Sequence, residues 1–286
     1  MTQVKRTLSS VGGDIEFVSL NCKGLNNPIK RSKVLHYLHH LDAHIIYLQE
    51  TYLKEIDSVR LKKSWVGKIY HSSFSSKSRG VAILLHRDIP FVHVKTISDS
   101  AGRFIAVMGH IFDVKVTLAN VYAPNWDDES FFRQVFSMLP DLSMYNLILG
   151  GDFNCWMNPS LDRSSSTSAA LSKSTKVIQA FMNEFNVVDP WRLFNPDKRE
   201  YSFFSHIHRT YTQIDFFLVD SKLLSSISGC KYDSIVVSDH ASISMNVYFQ
   251  KFVNTRPPWR LDTHLLLDTD FIKFVSAFFR LTKLQK

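Results

Sequence analysis

Short apolar runs alternate with polar or glycine-bearing breaks along the chain, and their spacing predicts strands more often than helices. Residues 15–21 read as a strand ending on a polar residue, and Gly24 to Pro28 as a turn. Lys30 to Leu41 reads as a helix, because Val34, Leu35, Leu38 and Leu41 recur at helical spacing. Ala43 to Leu48 is a second buried strand, closed by Gln49-Glu50. Strand-like runs follow at 68–74, 80–86, 91–97, 104–110 and 114–122. Asp127 to Leu139 is expected to be a helix capped by Asp127 or Asp128 and stopped near Pro140. A serine-rich loop, Ser164 to Ser168, precedes a helix from Ser172 to Phe185. Further strands are expected at 201–205, 214–219, 231–237 and 241–249, with no internal repeat and no linker before about Asn254. Many strands with a few helices between them predict stacked sheets with helices outside.

One break stands out. The apolar run Tyr145 to Leu149 stops at Gly150-Gly151, and Asp152-Phe153-Asn154 follow. Two glycines let another group approach the backbone closely, and in extended chain Asp152 and Asn154 point to the same side. A carboxylate beside a neutral amide suits water activation next to an anionic substrate; the bland reading is a turn that favours Gly, Asp and Asn.

Composition narrows the field. Of 286 residues 45% are hydrophobic, enough for a core, and the net charge of +8 suits a polyanionic partner such as nucleic acid or an acidic membrane surface. Cys22, Cys155 and Cys230 lie too far apart for a paired zinc spacing or a disulfide framework, which predicts a reducing compartment. Met1 to Gly13 lacks the apolar core of a signal peptide, and no uninterrupted apolar run approaches the ~18–20 residues of a membrane span. A soluble, intracellular protein is expected.

Polar residues cluster where predicted strands finish: Asn21, Glu50, Tyr122, Asp152 with Asn154, Asp215, and Asp239-His240. Taken singly, Asn21 could cap the turn at Gly24, Glu50 could face solvent, and Tyr122 could pack on Pro124. Asp215 is harder to dismiss. It lies in the apolar run Ile214 to Val219, and a buried carboxylate needs a partner. His240 is the natural one, an arrangement in which the acid orients the imidazole and supports its charge.

Seven motifs in order carry a resemblance. They are Ser19-Leu20-Asn21, Leu48-Gln49-Glu50, Arg79-Gly80-Val81-Ala82, Asn120-Val121-Tyr122-Ala123-Pro124, Gly150-Gly151-Asp152-Phe153-Asn154, Ile214-Asp215-Phe216 and Ser238-Asp239-His240. The set resembles the endonuclease/exonuclease/phosphatase superfamily. It implies a DNase I-like α/β fold, a two-sheet β-sandwich flanked by helices, over residues 1–253, with 254–286 as linker and helical tail. Asn21 to Arg31, Leu161-Asp162-Arg163-Ser164 and Tyr201 to Ser205 resemble the apurinic-type endonuclease domain of non-LTR (LINE-type) retrotransposons. Trp259 to Thr263 resembles the start of the linker towards reverse transcriptase, so a truncated or separately encoded endonuclease portion is expected.

The resemblance implies hydrolysis of a phosphodiester in double-stranded DNA by metal-assisted in-line attack. Glu50 would hold Mg²⁺, or Mn²⁺ in its place, with Asn21 nearby and Asp239 as ligand of a second ion or outer partner of the first. Asp152, Asn154 and His240 would join if a second ion is present. Asp152 would deprotonate the attacking water and Asn154 would donate to phosphate or nucleophile. His240, paired with Asp215, would stabilise the transition state, and Tyr122 would serve the leaving group as phenolate or phenol. Lys23, Lys30, Arg31, Arg79 and Arg163 are candidates for the DNA backbone, and Ser202, where threonine is usual, for substrate binding. Gln213 stands where a basic residue is common.

A reverse transcriptase or element RNA is the implied associate, with no membrane and no obligate protein partner. Action in the nucleus follows from the DNA substrate, the cytoplasm being the alternative, since Lys5-Arg6 is too short a localisation cluster. The competing readings are a phosphoinositide-type phosphatase of the same superfamily, a deadenylase-type RNA nuclease, and a non-catalytic nucleic-acid-binding remnant.

Overall fold

The computed structural model describes residues 12–165, 170–207, 209–250 and 269–273. The chain divides into two compact units, Met1–Lys251 and Phe252–Lys286. In the second, residues 269–273 are helical. The remainder of the expected tail helix, and Trp259 to Thr263, lie outside the described residues.

The first unit begins with β1 (Gly12–Asn21), α1 (Pro28–His40), β2 (Ile45–Gln49), β3 (Val66–Ser72) and β4 (Val81–His86). It continues with β5 (Phe91–Ser98), β6 (Phe104–Ile111), β7 (Val114–Tyr122), α2 (Glu129–Met138), β8 (Asn146–Asp152) and α3 (Lys173–Phe185). The last part holds β9 (Val187–Val188), α4 (Pro190–Phe194), β10 (Phe203–Ser205), β11 (Thr210–Thr212), β12 (Asp215–Asp220), β13 (Ile227–Tyr232) and β14 (Ile243–Gln250). Two six-stranded sheets result, β13-β14-β1-β2-β4-β3 and β5-β6-β7-β8-β12-β9, with β10-β11 as a separate hairpin.

Alternation along the strands builds the layers. Phe17 of β1, Tyr47 of β2, Leu118 of β7, Ile148 of β8 and Phe217 of β12 meet in one core between the sheets. Their strand neighbours face outward: Val18, Leu20, Ile46 and Leu48 pack under α1, and Leu147, Leu149, Phe216 and Leu218 pack with Phe132 of α2 and Ile178 of α3. The expected sandwich flanked by helices is the observed architecture.

Caps fix the helices. Asp128 accepts the N–H of Phe131 and caps α2. Asp127 instead reaches the start of α3, where its carboxylate accepts the N–H of Lys173 (2.9 Å) and Ser174 (2.8 Å). Asn27 caps α1 and Ser172 caps α3.

One strand departs from expectation. β13 is Ile227–Tyr232, not 231–237. A 3-10 turn over Ser221–Ser226 precedes it, and pairing with β14 from Ile227 onward, across a register shift at Gly229, sets the strand early. Residues beyond Tyr232 lead instead to Asp239 and His240.

Candidate active site

Topology explains why distant motifs meet. β1 runs parallel to β2, and β7 runs parallel to β8, so their C-terminal ends share an edge of the sandwich. β12 is antiparallel to β8 and starts at that edge, pairing Asp215 with Asp152. Tyr122 pairs with Asp152 on the other side. Stepping by twos into each strand, back from Asn21, Tyr122 and Asp152 and forward from Asp215, reaches Phe17, Leu118, Ile148 and Phe217, all in the inter-sheet core. The four polar side chains therefore continue the inward face of their strands past the point where apolar packing ends.

Gly151 makes the close approach possible. Its φ is +144°, and a Cβ there would stand 2.0 Å from the carbonyl oxygen of Val121. β7 and β8 can thus lie together up to Tyr122 and Asp152.

Asn21 is fully buried at the centre. Its Nδ2 donates to Glu50 Oε1 at 3.0 Å and to Asp152 Oδ2 at 2.8 Å. Its Oδ1 accepts the N–H of Lys23 at 3.0 Å. Asn21 therefore offers amide hydrogens to both carboxylates, and its oxygen is turned away from them; the expected ligand acts here as a strut. The other Glu50 oxygen accepts the Tyr52 hydroxyl, and the charge of Glu50 also bears on the Tyr122 phenol.

The second half of the site is the expected acid–imidazole pair. His240 Nδ1 lies 2.8 Å from Asp215 Oδ2, and His240 Nε2 lies 4.0 Å from Asp152 Oδ2. The Phe203 ring packs on the imidazole at 4.7 Å between centroids. Burial opposes the imidazolium, but Asp215 outweighs it and, with Asp152 and Asp239, lifts His240 to about 9. Burial first, then the charge of Asp215, raises Asp152 well above the ordinary carboxylate range. A carboxylate raised in this way gains basicity, which suits proton abstraction from water near neutral pH. Burial, Glu50 and Asp152 all raise Tyr122, although Arg103 opposes them. These effects favour the phenol over the phenolate.

Several expected roles shift. Asn154 lies beyond the strand at φ +49°, so it does not share a pleat with Asp152. Its backbone N–H donates to Asp152 Oδ1 at 2.9 Å and its Nδ2 to Ala123 O at 2.9 Å, which makes it a brace for the Asp152 loop. Ser202 is fully buried, so it cannot line a DNA surface. Its Oγ accepts the N–H of Ile214 (3.0 Å) and of Asp215 (3.1 Å), holding the acid in place. Gln213 is buried and receives Arg192 Nη2 at 3.2 Å, so a basic residue there would face Arg192 rather than phosphate. Lys23 commits its ammonium to Asp239 at 2.6 Å. Lys30 donates to Lys23 O and Arg31 to Leu25 O, so both brace the loop after β1. The Arg79 guanidinium stacks on Phe74 at 4.5 Å and that of Arg163 on Trp156 at 4.5 Å.

Three supporting residues carried no expectation. Tyr232 is buried and donates to Asp215 O at 2.5 Å. Tyr52 braces Glu50. Arg103 stacks on Tyr122 at 4.9 Å and donates to its carbonyl at 3.1 Å. For Tyr52 the proximity in Glu50-Thr51-Tyr52 was a usable signal; the other two are set by tertiary packing.

The donors fit a hard divalent cation. One amide gathers two carboxylates, and Asp215 Oδ1 is buried without a hydrogen-bond partner. Ligand atoms of Asp152, Asp215 and His240 lie within 4.8 Å of one another, although His240 could join a metal shell only as the neutral imidazole. Carboxylate oxygens are the ligands such ions prefer. Among the described residues no helix is long and apolar enough to cross a membrane.

The chain and its fold are similar to known proteins. The chain is 25% identical over 267 residues to the Transposon TX1 uncharacterized 149 kDa protein of Xenopus laevis, covering 92% of this chain and 20% of that protein. The chain thus spans about one fifth of the relative's length. The fold is similar to the APE2 catalytic domain of Xenopus laevis, with TM-score 0.68, 19% identity, and coverage of 83% of this chain and 92% of that one. It is also similar to the AP endonuclease LMAP of Leishmania major, with TM-score 0.67, 16% identity, and coverage of 82% and 88%. The family model for the Endonuclease/Exonuclease/phosphatase family matches residues 18–240, a span that takes in every acid, amide and imidazole of the edge just described, and the chain belongs to that family.

Proposed function

We propose that the chain is a divalent-metal-dependent DNA endonuclease that nicks one strand of a duplex, as in target-site nicking by a LINE-type element. The observation that carries this reading is the joined pair of half-sites. Asn21 ties Glu50 to Asp152, and His240, seated on Asp215, faces Asp152 across 4.0 Å. The transposon relative and the AP endonucleases of like fold support DNA as the substrate. The net charge of +8 agrees with a polyanion.

Glu50 would hold the ion, Mg²⁺ or Mn²⁺, beside Asp152. Bound there, the ion would offset charge on the phosphate and leaving oxygen. Asp152 takes the proton from the attacking water. His240 donates its Nε2–H to a phosphate oxygen, and Asp215 keeps the imidazole charged and oriented. Tyr122 donates its phenol hydrogen bond towards the leaving oxygen, and Arg103 behind its ring holds it in position. Residues 254–286 are proposed as a linker and helical tail; a reverse transcriptase and element RNA are proposed associates at a nuclear target.

Purified protein is to be incubated with supercoiled plasmid in Mg²⁺, in Mn²⁺ and in EDTA, beside an assay of inositol phosphate hydrolysis. Nicking in either ion and none in EDTA is expected. Phosphate release from the inositol phosphate with an intact plasmid would replace the endonuclease reading by a phosphatase.

A further inference from the structure

A large apolar side chain left singly in solvent is common and needs no explanation. Trp126 differs in where it stands and in how firmly it is held. It is 59% exposed, although an indole is among the side chains with most to gain from burial. It lies in the loop from Ala123 to Asp128, which leads from β7 to α2.

Both ends of that loop are fastened. At the first, the Ala123 N–H donates to Asp152 O at 2.8 Å, and Ala123 O accepts Asn154 Nδ2 at 2.9 Å. At the second, Asp127 accepts the N–H of Lys173 and of Ser174 at the start of α3, while Asp128 caps α2. Arg103, itself buried, lies over two rings at once, 4.9 Å from the centroid of Tyr122 and 5.9 Å from that of Trp126. The indole and Asn154 also line one cleft of about 170 Å³, with Asn125 and Trp156. A braced loop thus leaves an aromatic ring in solvent beside Asp152 and Tyr122, where the substrate phosphate would lie.

We propose that Trp126 is a stacking residue for the substrate: its indole takes a nucleobase next to the scissile phosphate, partly lifted from the duplex stack. This rests on the endonuclease reading above. Every base offers a flat π face, so such stacking needs neither a charge nor a hydrogen-bond code. Arg103 over the same ring adds cation–π support and keeps the indole in place. A contact to phosphate grips any step of the duplex alike, whereas an aromatic ring stacked beside the cut favours steps that unstack at low cost. Trp126 therefore contributes to affinity and to the choice of cleavage position, and its share does not depend on salt.

The test is binding of the full chain to a short duplex centred on the plasmid site that it nicks most strongly. EDTA keeps the strand whole, and fluorescence anisotropy follows binding across a salt series. Trp126→Ala is expected to weaken binding about 5- to 150-fold, and Trp126→Phe to recover most of that loss. The slope of affinity against salt should stay that of wild type, because no phosphate contact is removed. The bases on either side of the scissile phosphate are then replaced, one at a time, by an abasic analogue. At one of these positions the replacement should weaken wild type and leave Trp126→Ala unaffected. Equal affinities for wild type and a folded Trp126→Ala, or base removals that cost both proteins the same, would overturn the proposal. So would a shallower salt slope in Trp126→Ala, since the indole would then be supporting a phosphate contact. Failure of wild type to nick or to bind plasmid DNA would overturn both this proposal and the endonuclease reading.

Discussion

Replacing Asp215 by Asn removes one charge from a buried pair while keeping nearly the same shape. His240 Nδ1 and Asp215 Oδ2 are 2.8 Å apart, with side chains 7% and 1% exposed. Burial would lower the imidazole, yet the charge of Asp215 dominates and carries it from 6.5 to about 9, a rise equivalent to about 3 kcal/mol of native-state stabilisation. The folded value lies above the unfolded one. The contribution is therefore complete below pH 6.5 and is lost as pH rises through about 9. Asp152 works in the opposite sense, since losing Asp215 relieves part of the strain on its carboxylate, which trims the difference. Urea unfolding in EDTA should show Asp215→Asn about 2–3 kcal/mol less stable than wild type near pH 6. The gap should fall below about 1 kcal/mol at pH values above about 9.5, where the imidazole is neutral in both proteins. Nicking near neutral pH should fall about 10²–10⁴-fold, because a neutral imidazole no longer stabilises the phosphate charge. An equal stability loss at both pH values would refute the electrostatic account and leave only packing.

Other perturbations probe the supports. Asn21→Ala leaves the Glu50 and Asp152 carboxylates without their shared donor, so thermal scans should show a loss of about 1–3 kcal/mol in EDTA that Mg²⁺ partly restores. Tyr232→Phe removes the 2.5 Å bond to Asp215 O and should cost about 1–2 kcal/mol by urea titration, with a smaller loss of nicking than Asp215→Asn. Gly151→Ala would drive a Cβ to 2.0 Å from Val121 O at φ +144°, and should cost more than about 3 kcal/mol or abolish soluble expression.

Much of this site was legible because its residues sit where period-two patterns stop. Phe17 to Asn21, Ile148 to Asp152 and Phe217 to Asp215 each continue an inward face onto a polar residue, so strand ends marked the site in advance. Asn154 was misread because the pleat ends at Asp152, and a left-handed residue turns its amide back to Ala123. Ser202 was expected at the substrate and Gln213 at the place of a phosphate contact, although both flank the β10–β11 hairpin as buried residues, bonded to Ile214 and Arg192. β9, β11 and α4 span two, three and five residues, too short to show any period. The displaced β13 shows tertiary pairing deciding where a strand begins. Asp128 and Asp127 are adjacent and both caps in kind, and only the position of α3 decides that Asp127 serves the second helix.

The central claim is that Asp152, held between Asn21 and His240, activates water for metal-dependent strand cleavage. The most direct measurement is the single-turnover nicking rate of supercoiled DNA by wild type and by Asp152→Asn in Mg²⁺, with both proteins shown folded by circular dichroism. The account predicts ready nicking by wild type, none in EDTA, and a loss of at least about 10²-fold in the variant. Equal rates for the two folded proteins would contradict it.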